Sequence, residues 1–203
     1  MQKMKWIMRL AVGFAAGDLI AQAGEQVVDR VVDRKDASLL DTQREKRALQ
    51  SLLNLAGKLI IPAGEAMPAD KFGFAPTDGE FKGVRTFGQM VKHLSATNHI
   101  LAAAALGEEP PAGAGDEVGP DAVRTKAEIL DYPNGSFAHL SKAIASIGQT
   151  NASVNPSPIS PLKKNEVTRS ALVVQSLMHA CDHYGQIVEY LRMNGIVPPA
   201  SRP

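Results

Sequence analysis

Three times along the chain a threonine is followed three residues later by Glu or Gln and then by an apolar stretch: Thr42 with Glu45, Thr86 with Gln89, and Thr125 with Glu128. In such a capping box the hydroxyl accepts the third residue's backbone N–H, and the Glu or Gln side chain accepts the threonine's own N–H. The pattern marks helix starts. No stretch alternates apolar and polar residues as a half-buried strand would, and the apolar residues recur at helical spacing instead. The chain is therefore expected to be all-α. The helix opened at Thr42 carries Leu49, Leu52, Leu53, Leu55, Leu59 and Ile60, and Pro62 should kink it or end it early, because proline lacks the N–H and clashes with the preceding turn. A second helix runs from Thr86 to Leu106 and stops at Gly107. The third carries Ile129, Leu130, Phe137, Leu140 and Ile144, with a break expected at Pro133-Asn134-Gly135. The last runs from about residue 166 to Asn194, capped by Gly195, and Pro198-Pro199 forbid its continuation. Pro- and Gly-rich stretches over residues 108–120 and 148–164 read as loops. With no internal repeat and no second core, the expectation is one antiparallel four-helix bundle over residues 41–200, preceded by a lead-in segment over 24–40.

Composition narrows the chemistry. The 203 residues carry 22 Lys+Arg against 21 Asp+Glu, a net charge of +1, so the basic footprint of a nucleic-acid protein is missing. A single cysteine excludes a disulfide within the chain and any thiolate-rich zinc site. No segment approaches the ~18 uncharged apolar residues of a membrane span. The N-terminus has two readings. Lys3, Lys5 and Arg9 precede an apolar run from Leu10 to Gly17, and Ala21-Gln22-Ala23 has the form of a cleavage site; residues 1–23 then make a secretory leader, and the protein is periplasmic or secreted. Alternatively the same residues form an amphipathic first helix of a cytoplasmic protein. Any metal chemistry must run on histidine and carboxylate, which turns attention to the five histidines.

His179 and His183 lie four residues apart on the last helix, about 40° apart around the axis with ~6 Å of rise between them, so two imidazoles can converge on one ion. Gln186 and Tyr190 extend the same stripe. The alternative is a solvated pair on a helix surface. There is no Glu at position 180, so the His-Glu-x-x-His zinc-protease reading fails. Cys181 points to the opposite side. On the second helix His93 falls about 100° from the centre of the apolar arc and can turn inward; its alternative is an edge histidine bonded to a neighbour. His99 falls on the other side, facing water. His139, near the expected break, has no partner at ligand spacing and reads as surface. Asp182 and Glu189 are available carboxylates, read as solvated helix charges.

The stretch from Arg85 to Asn98, containing Lys-His93-Leu, together with Met178-His179-Ala-Cys-Asp-His183-Tyr-Gly-Gln186, resembles the DinB/YfiT-like superfamily of helical-bundle proteins. Ala66 to Pro76 and Val188 to Pro198 match as well, and the resemblance covers about residues 40–200. Its specific part is the pairing of one early histidine on helix two with His-x-x-x-His-x-x-Gln on helix four. The resemblance implies a four-helix bundle with a divalent metal, zinc or nickel, held by His93, His179 and His183. It further implies a metal-dependent hydrolase, or a transferase using a low-molecular-weight thiol such as mycothiol, bacillithiol or glutathione. A non-catalytic metal-binding protein and a homodimerising scaffold are the alternatives. Pro62 and Pro133-Asn134-Gly135 depart from a typical member, and the position of His99 is usually aromatic there.

Overall fold

A computed structural model describes the chain except for residues 1, 78–81, 115–116, 149–153, 155–156, 158 and 164–166, and except for the side chains of residues 2–26, 28, 29 and 32. Four helices and no strand occur among the described residues: α1 (Gln2–Ala66), α2 (Phe87–Leu106), α3 (Lys126–Ala145) and α4 (Arg169–Met193). Short 3-10 turns follow α1 and α4, at Ala69–Lys71 and Pro199–Ser201. The chain divides into two compact units, Met1–Arg44 and Glu45–Pro203. In the first, the described side chains up to Leu40 are exposed, and the leader expected over residues 1–23 falls among side chains outside the described set. No helix among the described residues is long and apolar enough to cross a membrane.

The capping boxes at Thr86 and Thr125 form as the sequence requires. Thr86 Oγ1 accepts from the Gln89 N–H at 3.3 Å while Gln89 Oε1 accepts from the Thr86 N–H at 2.9 Å, and Thr125 and Glu128 exchange the same pair of bonds. Thr42 does not. It lies inside α1, and its hydroxyl donates to the Ser38 carbonyl at 3.0 Å. The residues before Thr42 are already helical, so no free first-turn N–H exists for it to cap. At α4 the cap is Thr168, whose hydroxyl accepts from the Ala171 N–H at 3.0 Å.

Neither proline breaks its helix. Pro62 sits near the end of α1, which runs on to Ala66. Pro133 sits inside α3 and is buried there. Losing one N–H and distorting the turn costs about 3 kcal/mol in a helix interior, and burial of Ile129, Ser136 and Leu140 on either side holds α3 continuous. The Ser136 hydroxyl donates to the Pro133 carbonyl at 2.9 Å.

In the second unit, Leu49, Leu53, Ala56, Ile60 and Ala63 form the buried stripe of α1. Leu52 and Leu55 are 52% and 53% exposed, because they lie off the 3.6-residue stripe that faces the other helices. Helix α3 runs antiparallel to this part of α1: Lys46 Nζ donates to the Ala145 carbonyl, and Lys126 Nζ donates to the carbonyls of Glu65 and Met67. The centre of the bundle is α2, buried along nearly its whole length. Its Asn98 holds the two neighbouring helices together, accepting from Ser176 Oγ of α4 at 2.7 Å and donating to Ser136 Oγ of α3 at 3.2 Å. Gly107 takes the left-handed conformation (φ 76°) that ends α2, a turn glycine makes without side-chain penalty.

Candidate metal centre

Helices α2 and α4 run antiparallel, so the early turns of one face the later turns of the other. That places His93 of α2 against His179 and His183 of α4. The Nε2 atoms of His93 and His179 approach to 3.1 Å, and those of His179 and His183 to 2.9 Å. One nitrogen from each of the three rings lies within 4.8 Å of the others, a grouping that can hold a metal ion. Three imidazoles at ~2.0–2.1 Å from one tetrahedral ion would stand about 3.3 Å apart, so small ring rotations suffice. His93 and His183 are buried and His179 half-buried.

The outward nitrogens decide which atoms face the cluster. His93 Nδ1–H donates to the Glu117 carbonyl at 2.7 Å, because a carbonyl only accepts. His183 Nδ1–H donates to Gln186 Oε1 at 3.2 Å, and Gln186 Nε2 in turn donates to Asp182 Oδ2 at 3.0 Å. Both histidines therefore present an Nε2 lone pair inward. Only His179 remains to place a hydrogen between them. One hydrogen on its Nε2 can serve one neighbour and not the other, and its Nδ1 is buried without a hydrogen-bond partner. Two inward lone pairs facing a third imidazole suit a shared cation; as neutral rings the three cannot all be satisfied by one another. Burial also keeps the rings neutral, the state a metal ligand needs. It pushes His93 down to about 4 and His179 down to about 3, with neighbouring imidazoles adding to the effect on His179, and it lowers His183 as well.

The other expectations divide. Cys181 is exposed on α4 and takes no part in the cluster. Asp182 and Glu189 are exposed; Glu189 pairs with Arg192 at 2.6 Å. Tyr190 donates to the Arg85 carbonyl at 3.0 Å. His99 and His139 are corrections. Neither is at the surface: they are 8% and 9% exposed and meet each other, Nδ1 to Nδ1, at 3.0 Å. His139 Nε2–H donates to Glu108 Oε1 at 2.8 Å. Helix α3 stays intact through Pro133, so His139 keeps a helical register that turns it onto α2. The sequence carried no sign of Glu117 or Glu108 as histidine partners. Both lie in the Pro- and Gly-rich loop after α2, where no periodicity ties a residue to a face.

A family model described as DinB superfamily matches residues 46–187. No curated protein matches the chain. The chain belongs to the DinB superfamily, and the match spans α2, α3 and the histidines of α4.

Proposed function

We propose that this DinB-superfamily bundle holds one divalent ion, zinc or nickel, through Nε2 of His93, His179 and His183, and uses it as a metal-dependent hydrolase or a low-molecular-weight-thiol transferase. The observation that carries the reading is the hydrogen count of the cluster: the buried His93 and His183 both turn Nε2 lone pairs toward His179, whose single hydrogen cannot serve both. When bound, such an ion lowers the pKa of a coordinated water or thiol and supplies a nucleophile at neutral pH. Three protein ligands leave a position for that group. The chain's own residues do the preparatory work. Glu117 and Gln186 fix the ring orientation of His93 and His183, and burial holds the rings neutral without protonation at pH 7.

Metal analysis of protein purified without a histidine tag is expected to give about one ion per chain. Full metal content in the His93→Ala/His179→Ala/His183→Ala variant would overturn the assignment. Hydrolysis or thiol conjugation in a substrate panel, lost on chelation and restored by metal, is expected of the enzyme. Metal without turnover would leave a metal-binding protein.

A further inference from the structure

Glu117 is the one residue other than glycine with a positive φ among the described residues, at 63°. The left-handed region is disfavoured for a side chain of this kind, and such outliers persist where the surrounding structure holds them and cluster at functional sites. Here the holding contacts are visible. Glu117 N–H donates to the Ala114 carbonyl at 3.3 Å, and Ala114 is fully buried. On the other side Gly119, itself at φ 83°, packs so closely on the Lys92 stem and Tyr132 that a Cβ would stand 3.0 Å from Lys92 Cγ. Lys92 Nζ then donates to the Val123 carbonyl at 3.3 Å.

The strained turn delivers two groups to the same atom. The Glu117 carbonyl accepts from His93 Nδ1–H at 2.7 Å, and the carboxylate stands behind that nitrogen with Oε2 at 3.9 Å. A histidine ligand whose far N–H is held by a carbonyl or a carboxylate is fixed in one tautomer and made a stronger donor at the other nitrogen. We infer that Glu117 is the positioning residue of the three-histidine centre, directing His93 Nε2 toward the ion through its carbonyl and raising that nitrogen's donor strength through its carboxylate. The inference rests on the metal reading of the cluster. His183 has a counterpart in the Gln186–Asp182 chain, whereas His179 has none at its Nδ1, so the loop supplies what α2 cannot provide for its own ligand.

The test is zinc and cobalt titration of the full chain carrying Glu117→Gln or Glu117→Gly. Glycine adopts the left-handed turn freely, so Glu117→Gly keeps the carbonyl in place, relieves the strain and removes only the carboxylate. Both variants are expected to bind zinc roughly ten-fold more weakly than the wild type, at the low end of the ~10–100-fold cost of an outer ligand partner. The visible absorption of the cobalt-loaded protein should shift in both, which a merely structural role would not bring about. Metal-free Glu117→Gly should melt no lower than the wild type. Zinc binding within two-fold of wild type in both variants would overturn the role of the Glu117 carboxylate. A wild-type chain that binds neither metal would overturn the metal reading itself, so the two failures are distinguishable.

Discussion

Helix α2 contributes to two histidine clusters that look alike by distance and differ in how their hydrogens are arranged. In one, His93 meets His179 and His183 with Nε2 separations of 3.1 and 2.9 Å. In the other, His99 meets His139 at 3.0 Å. The second cluster closes on itself: His139 gives its Nε2 hydrogen to Glu108, which frees its Nδ1 to accept from His99 Nδ1–H. Every facing group has a partner with neutral rings. The first cluster does not close, because two of its three rings already spend their hydrogens outward. Proximity of imidazoles is therefore not what marks a metal site. The direction of the lone pairs marks it, and that direction is set by the carbonyl, amide or carboxylate on the far nitrogen.

The sharpest way to break this comparison is to remove one ring from each cluster. His179→Ala should weaken zinc binding by more than the ~100-fold upper range of an outer ligand partner, whereas His99→Asn should change it less than about three-fold; isothermal titration reads both. Equal losses would erase the distinction. Next in size, zinc at a hundred times its dissociation constant should stabilise the wild type by about 2.7 kcal/mol. The same increment should appear in His139→Gln and vanish in His179→Ala, as read from denaturant melts with and without the metal. Third, His139→Leu leaves His99 Nδ1–H buried without its acceptor, which should cost about 1–3 kcal/mol of metal-free stability and leave zinc affinity intact.

The smallest effect concerns acid. Burial, with His139 adding to it, pushes His99 from its ordinary value near 6.5 down to about 4. Between those values the unfolded chain binds more protons than the folded one, so stability present above pH 6.5 is lost as the pH falls toward 4. His93, His179 and His183 act with the same sign in the metal-free protein. His99→Asn keeps a donor near the Nδ1 position and removes one titrating ring, so the acid limb of its stability curve should become shallower by on the order of 1 kcal/mol. An unchanged limb would show that His99 titrates normally.

The two clusters also show how far residues alone could be read. His179 and His183 were legible because their four-residue spacing on one helix fixes their angular relation, whatever packs against them. His93 was legible as a residue able to turn inward, and its pairing with α4 rested on a resemblance to a family. His99 and His139 were not legible, for two reasons. The apolar arc of α2 predicts a single buried face, whereas this helix is enclosed nearly all round and even its polar side is covered by α3. An expected break at Pro133 then removed the partner. The caps at Thr86 and Thr125 were legible because a capping box is a local exchange of two hydrogen bonds. Thr42 carries the same letters and caps nothing, since whether the preceding residues are helical is not written in the box itself.

By itself, then, the sequence determined where α2 and α3 begin, that the elements are helices, and which two residues of α4 share a face. Each of these depends on bonds or angles within a few residues of chain. Tertiary structure decided which histidines meet, which ring nitrogens turn inward, and that a strained glutamate in a loop stands behind His93. Apart from the bond of His183 to Gln186, three residues on along α4, those outcomes depend on contacts between residues 24 to 86 positions apart, and no local preference encodes the packing that brings such residues together.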